Sequence, residues 1–291
     1  MRPANIITAV SDILAGITIA IFATGMQEVK ISYSDIVLLI ISTAGLYGGG
    51  VVMNDYFDAA IDRVERPERP IPSGLISENT AALGGTILLI AGIMAASMVH
   101  PEGLFSPSTW IAAAIAIAAL VYDKWGKHHF FIGPLNMGLC RGLNLLLGIS
   151  MIPSSIYQYW FLCFVPVVYI AAITMISRGE VYGGKKTTMY GAVALYFLVI
   201  LSILFVALYN NTAIIAVLFL VIFAAIVFPP LLKAMKKPSG PLIGKAVKSG
   251  VIGLIAMNAS WAASFDSVYF ALMILLLLPV SIGLAKVFAV T

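Results

Sequence analysis

Residues 35–63, DIVLLIISTAGLYGGGVVMNDYFDAAIDR, combine an apolar stretch with a group of acidic residues. The apolar part, 35–53, is close to the length of about 20 residues that an α-helix needs to span a lipid bilayer. The polar part, 54–63, carries Asp55, Asp58 and Asp62. A spanning helix that ends in carboxylates delivers them to a membrane surface. This stretch therefore predicts a transmembrane helix with a polar site at its end.

Apolar segments of similar length recur along the whole chain. Hydrophobic residues make up 61% of the sequence and charged residues 10%, with a mean hydropathy of +1.02, far from the balance of soluble domains. The mostly apolar segments are 6–24, 35–53, 80–98, 108–122, 131–152, 157–177, 189–208, 212–232, 244–263 and 267–288. The short alternating blocks of an outer-membrane barrel are absent. We therefore predict an all-α, polytopic integral membrane helix bundle of about ten helices, forming a single transmembrane domain over 1–291.

The Lys and Arg residues predict the orientation of this bundle. If successive helices cross the bilayer in alternate directions, 15 of the 17 Lys and Arg residues fall on one side. Lys30 falls on the other side, and Arg141 lies inside a segment. The positive-inside rule then places both termini and the long loop 54–79 in the cytoplasm, and we expect the plasma membrane of a prokaryote. This distribution explains the basic pI, and we predict no nucleic-acid partner.

The three aspartates after the second segment predict a metal site. Continued as helix, 54–63 places Asp55, Asp58 and Asp62 at positions i, i+3 and i+7 of one face. Three adjacent anions repel one another and require neutralising cations. Carboxylate oxygens at this spacing suit Mg²⁺, which commonly bridges carboxylates to phosphate oxygens. The pattern predicts Mg²⁺ as cofactor and a diphosphate as ligand.

The loop that follows, RPERPIPSG at 66–74, is stiff and carries two arginines. Its two arginines can bind phosphate bidentately, and its three prolines restrict the backbone that presents them. An alternative interpretation is a solvated loop whose aspartates pair with Arg63, Arg66 and Arg69.

These motifs resemble the UbiA superfamily of intramembrane prenyltransferases. NDxxDxxxD at 54–62 and RPIPSG at 69–74 are similar to that family's first aspartate-rich motif and the loop after it, and the similarity extends over essentially the whole chain. The resemblance implies a ring of nine helices around an apolar cavity, with the metal and diphosphate at its cytoplasmic end and 267–288 as an extra helix. It also implies substrate-binding roles for Asn54, Arg63, Arg69, Tyr122, Lys124, Lys127 and Asn136.

The second motif of the family is altered in this chain. Most relatives carry a DxxxD-type pair where this sequence reads SRGEVYGGKK at 177–186, with Glu180 as its only carboxylate. The resemblance implies that Glu180 is the second-site metal ligand. It also implies that Arg178 and either Lys185 or Lys186 contact the diphosphate directly in place of a metal charge. This loop, together with CRGLN at 140–144, resembles a bacterial subgroup described as EboC-like.

Arg141 and Asn144 are polar residues inside the fifth segment. An arginine within a membrane helix costs several kcal/mol unless it is paired or hydrated, so it marks a candidate functional residue. We predict that Arg141 and Asn144 bind substrate. A structural ion pair between Arg141 and Asp12 of the first segment is an equal alternative.

Together these features predict a Mg-dependent prenyltransferase. It would transfer an isoprenyl group from a prenyl diphosphate to an aromatic or other lipid-like acceptor, in contact with membrane lipid. Asp55, Asp58, Asp62 and Glu180 are its predicted catalytic and metal-binding residues. The alternatives are a membrane transporter or a carrier of lipid or diphosphate, and a relative that binds its ligand without turnover.

Overall fold

A computed structural model describes residues 3–25, 32–129, 131–178 and 186–287. Its α-helices are α1 Pro3–Ala23, α2 Tyr33–Phe57, α3 Ala59–Glu65, α4 Glu78–Ser97, α5 Pro107–Lys124, α6 Ile132–Ile149, α7 Pro153–Tyr159, α8 Phe164–Ser177, α9 Lys186–Tyr209, α10 Ala213–Lys236, α11 Gly240–Ser264, α12 Val268–Leu275 and α13 Leu277–Val287. Short 3-10 helices lie at Gly103–Phe105, Gly126–His128 and Trp160–Cys163. No strand occurs within these ranges.

Each of the ten predicted segments coincides with a helix or with a pair of consecutive helices. Segment 157–177 corresponds to α7 and α8 joined by a 3-10 helix, and segment 267–288 to α12 and α13. Within the described ranges, eight helical stretches are long and apolar enough to cross a membrane, and α5 and α6 are not among them. Both are 18 residues long, and polar side chains lower their hydropathy. The predicted all-α integral membrane bundle is confirmed.

Glycines allow the helices that carry the polar residues to approach closely. A Cβ atom at Gly148 of α6 would lie 2.4 Å from the carbonyl oxygen of Ile13 in α1. A Cβ atom at Gly92 of α4 would lie 2.8 Å from the carbonyl oxygen of Ser42 in α2. Any larger side chain would push these backbones apart. The glycines therefore determine how near α1 lies to α6, and α2 to α4.

A buried polar network joins four helices inside the bundle. Arg141 of α6 donates to Asp12 Oδ2 of α1 at 2.9 Å, and Asn144 donates to the same oxygen at 3.1 Å. Asn258 of α11 donates to Asp12 Oδ1 at 2.7 Å. Thr43 of α2 donates to Asn144 Oδ1 at 2.7 Å. The structure therefore contains the Arg141–Asp12 pair that the sequence offered as one of two interpretations.

Gly148→Ala should destabilise the bundle. The added methyl group collides with the α1 backbone, and overpacking of this kind costs about 1–3 kcal/mol. Gly84→Ala is the control, because its Cβ meets nothing within 4 Å. Thermal unfolding in detergent measures the difference, and equal unfolding temperatures for the two variants would contradict the close packing of α1 on α6.

Arg141→Met should cost about 3–5 kcal/mol of unfolding free energy, because it leaves the buried Asp12 carboxylate without a balancing charge. Adding Asp12→Asn should recover much of this loss, since an amide replaces the unpaired anion. A double-mutant cycle of unfolding free energies measures the coupling. An Arg141→Met protein with unchanged stability would contradict a structural role and favour substrate binding by Arg141.

Candidate functional site

The three aspartates lie where α2 gives way to α3. α2 ends at Phe57 and α3 begins at Ala59, so the helix is interrupted at Asp58, where the sequence predicted a continuous one. The backbone N–H of Asp58 still bonds to the carbonyl of Asn54 at 3.0 Å, and that of Asp62 to the carbonyl of Asp58 at 2.8 Å. These bonds preserve near-helical spacing, which keeps the carboxylates close to one another.

Two basic residues neutralise these carboxylates. Arg69 donates to Asp62 Oδ2 at 2.6 Å and to Asp55 Oδ1 at 3.4 Å. Lys127, in the 3-10 helix between α5 and α6, donates to Asp58 Oδ1 at 2.5 Å. Asp62 is buried, with 4% of its surface exposed, whereas Asp55 and Asp58 are only partly buried. The proline-rich loop and the α5–α6 connection therefore each contribute one cation to the cluster.

A fourth carboxylate, Asp123 at the end of α5, lies beside this cluster. Asn54 Nδ2 donates to Asp123 Oδ1 at 3.1 Å. Asp123 lies just beyond the apolar segment 108–122, and burial raises its pKa to about 7, against the lowering effects of the Asn54 hydrogen bond and the Lys127 charge. The sequence analysis missed this residue. One feature of the sequence could have identified it: Asp123 is the only acidic residue between 103 and 179, and it lies at the predicted cytoplasmic end of its segment.

The donor atoms of the cluster fit Mg²⁺. Within the described ranges no three His, Cys, Asp or Glu residues are arranged to hold a metal by themselves. The second oxygens of Asp55 and Asp58, and Asn54 Oδ1, make no hydrogen bond to another described residue. These are hard oxygen donors, and Mg²⁺ is usually bound through one or two carboxylates together with substrate phosphates. A fully protein-made metal cage is therefore not required.

Two of the predicted substrate-binding residues make their contacts outside the cluster. Arg63 forms an exposed ion pair with Glu78. Lys124 is exposed, and its Nζ lies 4.5 Å from the centre of the Trp125 ring. The structure therefore groups Arg69 and Lys127 with the aspartates, but not Arg63 or Lys124.

The remaining predicted residues lie in several places. Asn136 is buried in α6, and its Oδ1 has no hydrogen-bond partner in the described part of the chain. Tyr122 and Arg178 are half-buried near the ends of α5 and α8. Arg141 and Asn144 belong to the polar network around Asp12. Glu180 and Lys185 lie outside the described residues.

The fold and the cluster together define a multi-pass integral membrane protein with paired acidic and basic side chains at one end of an apolar bundle. The chain belongs to the UbiA prenyltransferase family, whose model matches residues 13–228. The family resemblance seen in the sequence is confirmed, and with it the prediction of a prenyltransferase at the level of the family.

Three curated relatives of this chain share one name. The digeranylgeranylglyceryl phosphate synthase of Methanothrix thermoacetophila is 32% identical over 198 residues, which cover 64% of this chain and 67% of that protein. Two further relatives of the same name are matched over only 52% and 57% of their lengths. The chain thus spans between about half and two thirds of these relatives.

Solved structures share the fold. A UbiA homologue from Aeropyrum pernix K1 has a TM-score of 0.70 at 14% identity, covering 89% of this chain and 98% of that one. A UbiA homologue from Archaeoglobus fulgidus bound to DMAPP and Mg²⁺ has a TM-score of 0.50 at 15% identity, covering 99% and 100%. The predicted UbiA-type bundle is confirmed by this likeness.

Arg69→Gln should lower the free energy of unfolding by about 1–3 kcal/mol, because it leaves the buried Asp62 carboxylate unpaired. Arg66→Gln is the matched control, since Arg66 is exposed in the same loop. Denaturation of both variants in detergent measures the difference. Equal stabilities would show that the Asp62–Arg69 pair does not hold the loop against α3.

Proposed function

We propose that this protein transfers a prenyl group from a prenyl diphosphate to a hydroxyl group of a glycerophosphate-type lipid, with Mg²⁺ as cofactor. The site would lie at the cytoplasmic face of a prokaryotic plasma membrane, and residues 1–291 would act as one transmembrane domain. The observation that carries the proposal is the cluster of Asp55, Asp58, Arg69 and Lys127 at the end of an apolar bundle. The name of the relatives supports the substrates, because their product carries two geranylgeranyl groups on glyceryl phosphate.

The ion pairs of the cluster suggest how a donor would be bound. Asp55, Asp58 and Asn54 offer free oxygens to a cation. When bound, Mg²⁺ would stabilise the negative charge of the departing diphosphate. A cation at these carboxylates would take over the neutralising role of Arg69 and Lys127. Both side chains could then donate to the diphosphate oxygens, for which the arginine fork is well suited.

Asp62 has a different role in this proposal. It is the most buried of the three aspartates, and its bond to Arg69 is the shorter of the two that Arg69 makes. Asp62 would therefore keep Arg69 near the donor even when Asp55 binds a cation. Metal binding by Asp62 and Glu180 stays a prediction. Substrate binding also stays a prediction for the other residues singled out in the sequence: Arg63, Tyr122, Lys124, Asn136, Arg141, Asn144, Arg178 and Lys185.

The reaction needs an apolar, water-poor cavity. The C–O bond between the prenyl group and the diphosphate breaks, and an allylic cation forms. The acceptor oxygen then forms the new C–O bond and loses its proton. Exclusion of water by the surrounding apolar helices would prevent hydrolysis of the cation.

The altered second motif favours one alternative. The stretch 177–186 has one carboxylate where most of the family has a pair. A protein with one metal site could bind a prenyl diphosphate without cleaving it. This alternative predicts Mg²⁺-dependent binding with no release of diphosphate.

Asp58→Ala should abolish diphosphate release from geranylgeranyl diphosphate in the presence of Mg²⁺ and geranylgeranylglyceryl phosphate. Removal of a group that stabilises the departing charge costs about 100-fold or more in rate. Glu68→Ala is the control, because Glu68 is an exposed acid of the neighbouring loop. Phosphate analysis of purified protein, with and without Mg²⁺, measures the release. Tight Mg²⁺-dependent binding without release in the wild type would favour the carrier alternative, and release only with an aromatic acceptor would overturn the lipid acceptor.

A further inference from the structure

The contact between Asn54 and Asp123 joins residues that are distant in the sequence. Asn54 lies in the last turn of α2 and Asp123 in the last turn of α5. The Asp123 side chain is 5% exposed, and its Oδ1 accepts from Asn54 Nδ2 at 3.1 Å. Its Oδ2 has no hydrogen-bond partner in the described part of the chain. Asn54 is therefore the hydrogen-bond donor to this buried carboxylate.

This contact fixes which end of the Asn54 amide faces the cluster. An amide side chain has one donor end and one acceptor end, whereas an ionised carboxylate only accepts hydrogen bonds. In the structure, Asn54 turns its N–H₂ group toward Asp123. Its carbonyl oxygen, Oδ1, then points away from Asp123, and no hydrogen bond to a described residue uses it.

The position of Asn54 gives that oxygen a role. Asn54 is the residue before Asp55, and it lies one helical turn before Asp58. The backbone N–H of Asp58 donates to the backbone carbonyl of Asn54 at 3.0 Å. Residues four apart share one face of a helix. Asn54 Oδ1 is therefore available on the side of α2 that carries the Asp58 carboxylate. The reversed amide would present two N–H donors there, which repel a metal cation.

We propose that Asp123 is a positioning residue, which holds the Asn54 amide with its carbonyl oxygen toward the diphosphate site. This inference rests on the proposed function, because it assumes that a cation binds beside Asp55 and Asp58. Asp123 acts through Asn54 and touches neither metal nor substrate. Residues that orient a metal ligand in this way typically change metal affinity by about 10–100-fold when they are replaced.

A double-mutant cycle tests whether Asp123 acts through Asn54. The four proteins are the wild type, Asp123→Leu, Asn54→Ala and the double variant. Leucine is chosen because it removes the acceptor, whereas Asp123→Asn would still offer an amide oxygen to Asn54. The readout is the Mg²⁺ concentration that gives half-maximal binding of geranylgeranyl diphosphate. We expect Asp123→Leu and Asn54→Ala each to raise this concentration by about tenfold or more. We expect the double variant to be no worse than Asn54→Ala.

Additive effects would overturn the proposal, because Asp123 would then act on the cation by its charge or by another contact. An Asp123→Leu protein with a wild-type Mg²⁺ requirement would overturn it as well. Glu102→Gln is the control for loss of one carboxylate, since Glu102 is exposed in the loop before α5. Wild-type binding that needs no Mg²⁺ would instead contradict the proposed function.

A rescue experiment separates positioning from a purely structural role. The exchange variant combines Asn54→Asp with Asp123→Asn, so that the carboxylate lies on α2 and the amide on α5. The amide introduced on α5 can then donate to one oxygen of the carboxylate introduced on α2, which leaves the second oxygen facing the cluster. We expect this variant to recover a Mg²⁺ requirement close to that of the wild type. A variant that recovers the wild-type unfolding temperature but not the Mg²⁺ requirement would show that the contact only supports the fold.

Discussion

Charges in a bundle of this kind must be neutralised by partners of the opposite charge, and the rest of the structure depends on this constraint. A carboxylate removed from water loses its hydration, so burial is tolerated only with a cation or several hydrogen-bond donors. The chain meets this requirement in two places. Deep in the bundle, Asp12 is paired with Arg141 and receives two amide donors. At the end of α2, Arg69 and Lys127 pair with the aspartates.

The two places differ in how many of their carboxylate oxygens accept a hydrogen bond. Both oxygens of Asp12 have donors from neighbouring helices, so its hydrogen bonds join α1 to α6 and α11. Asp55 and Asp58 each keep an oxygen without a described partner, and they are partly exposed. A carboxylate whose two oxygens both accept hydrogen bonds is suited to holding helices together. A carboxylate with an unpaired oxygen can bind a cation, and its basic partner can then bind an anionic substrate. This difference separates the structural charges from the proposed site.

Close helix packing brings the parts of the site together. Gly92 lets α4 approach α2, and Gly148 lets α6 approach α1. α5 then lies against both α2 and α6, so its last turn places Asp123 at Asn54, and the connection to α6 places Lys127 at Asp58.

The sequence alone determined the membrane class, the positions of the ten apolar segments and the residues of the first aspartate motif. These follow from composition and local spacing, because hydropathy and helical periodicity act over neighbouring residues. The partners of the charged residues were decided only by the tertiary structure. Arg63 and Arg69 belong to the same short stretch, yet Arg63 pairs with Glu78 and Arg69 with Asp62. Asp123 joins the site through Asn54, which lies 69 residues away along the chain. Such contacts depend on which helices pack against one another, and the spacing of residues along the chain carries no information about that.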